Sequence, residues 1–428
     1  MGEQEYHMVC RAVRNADPNF VWTLRRDDSL YTNLLPSAFA NHFAKASSFT
    51  TKIRDSSQHS ETSDRPTMGQ VPISAQHIIA SPPTPSTTTP HTAQNTRHNR
   101  PVSVSRGSSV NIGLHGPPCE PPVVPEEAVG LALRACSAYV SSRLHEDIEE
   151  ESKCLELAGT EWQSLINYYY KIVLEGGRFA CSTLTVRKAS DMLDELEKYL
   201  PQLYMDGVRN IWIVKPGAMS RGRGIVCLER LEPILELVSS PFHKEGKWVV
   251  QKYIERPLLI YGTKFDIRQW FLVTDWAPLT MWMYKDCYLR FATQRFTLDN
   301  MNESVHLCNN SIQRNYTNSG SRSELLPEEN MWHSSTFKIT WRQDGVWDEV
   351  IYPGMKHALT CSMMVSQDIV EGRKNSFELY GADFMLTDDF KPWLIEINCS
   401  PTMEPSTSVT TQLCAQVMED TIRGTTPL

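Results

Sequence analysis

The segment Gly381-Ala-Asp-Phe-Met-Leu-Thr-Asp-Asp-Phe-Lys-Pro-Trp-Leu-Ile-Glu-Ile-Asn398 carries Asp383, Glu396 and Asn398 at spacings that a sheet can bring together. Two strand-like runs flank a turn at Thr387 to Pro392, which reads as a hairpin. A register symmetric about the midpoint of Asp389 and Phe390 sets Asp383 directly opposite Glu396, and paired residues share one face. Glu396 and Asn398 are two apart and share that face too, while Ile395 and Ile397 are expected to point the other way, into a core. Opposed like charges destabilise a sheet unless a cation lies between them. A carboxylate, carboxylate and carboxamide set therefore suits Mg²⁺ bound together with phosphate. The competing reading is a solvated polar face on an edge hairpin.

A second group is Ile211-Trp-Ile-Val-Lys-Pro-Gly-Ala-Met-Ser-Arg-Gly-Arg-Gly-Ile225, a strand ending at Lys215 that runs into a loop with Gly217, Gly222 and Gly224. Glycines let backbone N–H groups approach phosphate oxygens, and Lys215 and Arg221 supply charge; an exposed turn is the alternative. The order of parts excludes two nucleotide folds. The Walker pattern, GxxxxGK followed by Ser or Thr, is absent, and a kinase places its Gly-rich loop before the lysine and later shows HRD and DFG. In a third group, Trp248-Val-Val-Gln-Lys-Tyr-Ile254 precedes Lys264-Phe-Asp-Ile-Arg268, where Lys264, Asp266 and Arg268 alternate on one strand face opposite Phe265, Ile267 and Gln269. The backbone edge of such a strand can pair with a purine, and a nearby Asp can accept from ribose hydroxyls; a surface charge ladder would alternate in the same way. Fourth, Tyr288-Leu-Arg-Phe291 and Gln294-Arg-Phe296 offer Arg290 and Arg295 as bidentate carboxylate holders, or as the solvated basic face of a twisted hairpin. His306 has no second histidine at metal spacing and reads as a satisfied core or rim histidine. Trp270, Trp276 and Trp282 read as packing residues.

Positioning these groups calls for mixed secondary structure. IWIVK, WVVQKYI, KFDIRQWFLVT and FELYGADFML have strand character, and IVCLERLEPILELVSS and TTQLCAQVMEDTIR have helical spacing, so residues 207–428 are expected to form an α+β domain. Residues 123–206 read as helical, with EEAVGLALRACSAYVSSRL as one helix and SDMLDELEKYL as another, capped by Ser190 and Asp191. Residues 55–122 are rich in Ser, Thr, Pro, His and Asn and are expected to be a disordered linker, leaving residues 1–54 as a partial N-terminal element. The 428 residues have a formal net charge of −8, with 41% hydrophobic and 21% charged residues, as is ordinary for a soluble globular protein. No apolar run reaches the length of a membrane span, and the acidic balance argues against a nucleic-acid partner. The N-terminus shows no secretory pattern. The 11 cysteines form no CxxC pair, so they are expected to be mostly buried free thiols in a reducing compartment.

In order, VKPGAMSRGRGI, VVQKYIERPLL, TKFDIRQWFLVT, YLRFATQRF, HLCNNSIQ, ELYGADFML and WLIEINCSPT resemble the tubulin tyrosine ligase-like family, and SRGRGI, HLCNN and SFELYGADF are most similar to its glycylase branch. The resemblance spans about residues 205–425, with NADPNFVWTLRR and NHFAKASSFTTK adding to it near the N-terminus. It implies an ATP-grasp fold in which Lys215, Arg221 and Gly222 hold ATP phosphates. Gln251, Lys252, Tyr253 and Ile254 would form the adenine hinge, Lys264, Phe265, Asp266, Cys308 and Asn309 would contact the nucleotide, and Ser311 would lie near the acceptor. Asp383, Glu396 and Asn398 would bind Mg²⁺. Arg268 and Arg290 would hold the substrate tail and the activated carboxyl, with Arg290 and Arg221 as the catalytic cations. The implied activity is ATP-dependent ligation of free glycine to glutamate γ-carboxyls in the acidic C-terminal tails of tubulin. The chain would act as a monomer in the cytoplasm and on the cytoskeleton, in cilium and axoneme. Two departures stand out: Met219 replaces an expected basic residue of the loop, and the Ser/Thr/Pro tract follows FTTK where ordered sequence is expected. A glutamylase or tyrosine ligase of the same fold is the nearest rival, and a catalytically weak microtubule-binding protein the other.

Overall fold

The computed structural model describes residues 20–21, 38–41, 43, 121–144, 157–217, 221–239, 248–340 and 345–425. Met219 and the tract up to residue 120 lie outside the described residues. The described residues fall into two compact units, one from residue 121 to 203, the other from 204 onward together with the pieces between 20 and 43.

In the larger unit β1 (Phe20–Val21) and β2 (Phe39–Ala40) pair in parallel. Ala40 N–H bonds Asn375 O at 3.0 Å, and the buried Phe43 ring meets Trp276 edge-on at 6.0 Å. The smaller unit pairs β3 (Val123–Pro125) with β4 (Arg178–Ala180) in parallel beside helices Glu126–Arg143, Gly159–Val173 and Thr183–Glu197. The last of these starts earlier than expected. Ser182, not Ser190, caps it, its hydroxyl accepting from Thr185 N at 3.3 Å, so Ser190 and Asp191 sit in the helix interior.

The rest of the larger unit is built on two antiparallel sheets. The first has the order β6-β5-β7, from β5 (Trp212–Pro216), β6 (Val226–Leu228) and β7 (Trp248–Lys252). The run from Val226 therefore opens as a strand, and its helix is confined to Leu231–Ser239. The second sheet contains β8 (Leu259–Ile260), β9 (Thr263–Trp276), β10 (Leu279–Met283), β11 (Tyr288–Phe291), β12 (Met331–His333), β13 (Glu378–Leu386) and β14 (Pro392–Cys399), ordered β12-β11-β9-β13-β14 with β8 and β10 also paired to β9. β9 is its spine.

Alternation along β9 sorts two surfaces. Phe265, Ile267, Phe271 and Val273 enter a core completed by Met355, Leu359 and Met363 of helix Tyr352–Ser366. On the other face Trp270 and Leu272 pack beneath Leu413, Cys414 and Val417 of helix Ser408–Thr425. That cover leaves Lys264, Asp266 and Arg268, on the same face, to the site described below. Each fully buried large apolar side chain contributes roughly 1.5–3 kcal/mol. Trp282 departs from its expected packing role: it stands on β10 and is 61% exposed.

The β13–β14 hairpin sets Asp383 opposite Glu396, but a bulge follows at Ile395, and Phe384 pairs with Leu394. The extra residue rotates the strand, so that Leu394 and Ile397 are the buried pair, while Ile395 is only half-buried. The described cysteines are free; Cys287, Cys308 and Cys414 are buried, while Cys136, Cys227, Cys361 and Cys399, on elements with one face toward solvent, and Cys181, in the turn before helix Thr183–Glu197, are half-buried. No helix among the described residues is long and apolar enough to cross a membrane.

Candidate active site

Strand order brings charges that are distant in sequence onto two rungs of the large sheet. One rung runs Tyr288, Arg268, Asp383, Glu396 across β11, β9, β13 and β14, and the next pairs Arg290 with Asp266. Arg268 grips Asp383 with two bonds, Nε to Oδ1 at 2.5 Å and Nη2 to Oδ2 at 3.1 Å. Arg290 Nε donates to Asp266 Oδ1 at 2.5 Å, and its Nη2 lies 3.1 Å from Asp383 Oδ2 without a well-aimed hydrogen bond. Tyr288, Arg268, Asp383 and Arg290 are buried, while Asp266 and Glu396 are half-buried, so neither a surface charge ladder nor a solvated basic face describes the group. Burial alone would raise the Asp383 pKa, but the two arginines beside it hold it down at about 2. Gly381, opposite Trp270, makes room for this grip: a Cβ there would lie 3.2 Å from Arg268 Cδ and Nη1 and 3.0 Å from Pro401. Arg295 stands apart from the rungs, packed on the turn at Gly262.

At the open end of the rung Asn398 Nδ2 donates to Glu396 Oε1 and to Gly381 O, each at 3.3 Å. These bonds leave Asn398 Oδ1 and Glu396 Oε2 without a hydrogen bond among the described side chains, and Asp383 Oδ1 keeps one lone pair beyond its arginine. Three oxygen donors on one face fit a hard divalent cation.

The smaller sheet presents Lys215, buried, with Nζ 2.5 Å from Gln251 Oε1 on the next strand. The loop beyond it holds Arg221, Gly222 and Gly224 at φ +63, +76 and +70°; the two glycines take such angles freely, whereas Arg221 is held in a left-handed conformation that residues with a side chain rarely adopt. Ser311 Oγ donates to Arg221 O at 2.9 Å, and a Cβ on Gly222 would lie 3.0 Å from Ile312 and 3.3 Å from Asn309 Oδ1. Ser311, expected near the acceptor, thus secures the loop, and Arg221 itself is exposed.

Lys264 connects this loop's neighbourhood to the rungs. It is buried, with Nζ donating to His306 O at 2.7 Å. Tyr253 O–H donates to His306 Nδ1 at 2.7 Å, which requires the Nε2 proton to face Asn300 O, also at 2.7 Å. Burial is the main reason that the His306 pKa falls to about 4, so the ring is neutral. Cys308 Sγ lies 3.7 Å from Lys264 O, and burial pushes its thiol up to about 12. Phe265 departs from its expected nucleotide contact. Its ring faces the core beside Phe291 and Phe337, leaving only its backbone toward the site. A cleft of about 320 Å³ lies between Ile225–Leu228 and the segment holding Met301, Glu303, His306 and Leu307.

The family model described as the tubulin-tyrosine ligase family matches residues 148–428. The chain belongs to this family. Within the tubulin-tyrosine ligase family it is 43% identical to human "Protein monoglycylase TTLL8" over 98% of this chain and 53% of that protein. It is 43% identical to mouse "Tubulin monoglycylase TTLL3" over 97% of this chain and 47% of that protein, and 42% identical to Drosophila melanogaster "Tubulin glycylase 3A" over 70% and 31%. The chain spans about half the length of the first two relatives. The family's ATP-grasp-like architecture of mixed helices and sheets agrees with the two antiparallel sheets.

Two residues that support the site escaped sequence reasoning. Glu255, buried, accepts from Val208 N, Arg209 N, Ile211 N and Lys252 Nζ at 2.8 to 3.0 Å, fixing the chain between β7 and the start of β5. Gln313, also buried, accepts from Thr293 N at 2.7 Å and donates to Ser304 O at 3.2 Å and to Leu307 O, tying the Ser304 to Leu307 stretch to the chain just beyond β11. Gln313 carries no charge, and the Lys252 three residues before Glu255 lies on a strand, where that spacing signals nothing, so only the burial of a polar group marks the two.

Proposed function

We propose that this chain carries the catalytic part of an ATP-dependent ligase that attaches glycine to glutamate γ-carboxyls in tubulin C-terminal tails. The observation that carries this reading is the pair of charged rungs, Arg290 with Asp266 and Arg268 with Asp383 and Glu396, built around the buried Arg268, Arg290 and Asp383. Relatives named as tubulin monoglycylases support the choice of substrate. In this reading the purine enters the cleft against Gln251 to Ile254, Asp266 accepts from the ribose, and Lys215, Lys264 and the Arg221–Gly224 loop face the phosphates. Cys308 and Asn309 line the same nucleotide, and Ser311 holds the loop closed on it.

Glu396, Asn398 and Asp383 would hold Mg²⁺, which supplies positive charge to the transferring phosphoryl oxygens. The glutamate carboxylate attacks the γ-phosphorus, the bond to ADP breaks, and an acyl phosphate results. The free amine of glycine then bonds the carbonyl carbon as phosphate leaves. Arg290 and Arg268, each already set by an aspartate, are pre-aimed cations for the acyl phosphate and the tail, while Arg221 closes from the loop. No covalent protein nucleophile is needed. The reading implies monomeric action on microtubules in the cytoplasm, including those of cilium and axoneme.

The test incubates purified chain with ATP, Mg²⁺ and microtubules, offering labelled glycine, glutamate and tyrosine separately, and locates label by mass spectrometry of the tails. Glycine on internal glutamates is the expected result. Glutamate or tyrosine incorporation would keep the site and overturn the substrate; nucleotide binding without any incorporation would leave a microtubule-binding protein.

A further inference from the structure

Arg322 is 8% exposed, yet no carboxylate among the described residues pairs with it. Its Nη1 donates to Pro327 O at 3.2 Å, while Nε and Nη2 are buried without a hydrogen-bond partner. Those two N–H groups share one edge of the guanidinium, the fork that a carboxylate meets with two parallel bonds. Burial with no acid alongside pulls the Arg322 pKa below its ordinary value. A buried cation without a counter-charge is strongly unfavourable, so an anion would relieve the arrangement.

The surrounding loop is anchored to the large sheet. Arg322 N–H bonds Ser319 O at 3.0 Å, Ser319 N–H bonds Thr293 O at 2.9 Å, Asn330 N–H bonds Pro327 O at 3.2 Å and Phe291 N–H bonds Asn330 O at 2.9 Å. Thr293 Oγ1, two residues beyond β11, is a further buried polar atom with no partner among the described residues. Thr293 follows Arg290 by three residues, about 10 Å of extended chain.

We propose that Arg322 is the cationic half of a carboxylate-binding site, closed by residues 319–330, that takes either a glutamate side chain of an acidic peptide or the carboxylate of a free amino acid. Both N–H groups are sealed from solvent, so the carboxylate enters with the loop open and is held when it closes. The site stands on this geometry alone; its natural occupant rests on the ligase reading.

The experiment melts the full chain in increasing glutarate, with neutral glutaramide as control, for the wild type and Arg322→Met. The wild type should gain melting temperature with glutarate only. Arg322→Met should melt higher than the wild type without ligand, having lost an unpaired buried cation, and should not respond to glutarate. Should that variant fail to fold, Arg322→Gln is read for the loss of response. Titration of glycine and of a synthetic glutamate-rich peptide then identifies the occupant, which the variant binds roughly 10- to 100-fold more weakly. A wild type indifferent to glutarate, a variant that responds equally, or unchanged affinity for both ligands overturns the site. A chain that ligates nothing yet keeps the Arg322-dependent glutarate response loses the ligase reading and retains this site.

Discussion

Removing the Asp383 carboxylate would leave Arg268 and Arg290 buried side by side with only Asp266 to offset them. Asp383→Asn is therefore expected to lower stability by about 3–5 kcal/mol, read as a drop in the urea midpoint at unchanged slope. Glu396 sits one strand further out, half-buried, bonded only to Asn398 among the described side chains. Glu396→Gln keeps its shape and should leave the melting temperature nearly unchanged while slowing ligation by at least roughly 100-fold; retained ligation would remove Glu396 from the site. The contrast separates an acid that holds the sheet together from one that faces a ligand. Spacing alone pointed to both acids and to both arginines, because strand alternation is a local rule. It could not say that the arginines are matched to internal aspartates, since that depends on β9 lying between β11 and β13.

At the scale of elements, the segment from Gly207 to Ile211 is held to the chain just beyond β7 by the Glu255 side chain together with the Tyr253 N–H bond to Ile211 O. Glu255→Gln replaces an acceptor of two bonds by a donor facing N–H groups, which costs about 1–3 kcal/mol for each group left unpaired. The predicted consequence is ATP binding weakened at least tenfold by calorimetric titration, with a smaller change in maximal rate at saturating nucleotide. Element positions were legible where a tight turn and a two-residue period agreed, as in β13 and β14. The bulge was not: Leu394, Ile395 and Ile397 are all apolar, so the pattern reads equally well with either residue turned inward. The start of helix Thr183–Glu197 was hidden for a related reason. Its first turn, Thr-Leu-Thr-Val, is β-branched and looks like strand, and the Ser182 cap that overrides this is a single hydroxyl.

For the whole molecule, the buried His306 and Asp383 both contribute to the acid side of the stability profile. The His306 pKa of about 4 in the folded chain lies below its ordinary 6.5, so the unfolded chain takes up the proton first. Stability should fall as pH drops from about 6.5 to 4, by up to roughly 1.4 kcal/mol per unit. His306→Gln, which can still accept from Tyr253 and donate to Asn300, should flatten that slope in urea melts at stepped pH. Asp383, shifted from 3.8 to about 2, adds a contribution that is complete above about pH 4 and is lost as pH falls toward 2. The thiols divide in a way that matters for handling the protein. Cys308, beside the Lys264 carbonyl, is enclosed and held protonated, whereas Cys361 lies half-buried on helix Tyr352–Ser366, with His357 Nε2 3.6 Å away. A maleimide dye should therefore spare Cys308, and with the cysteines other than Cys287, Cys308, Cys361 and Cys414 replaced by serine its attachment at Cys361 gives a fluorescent handle on the helix packed behind the rungs.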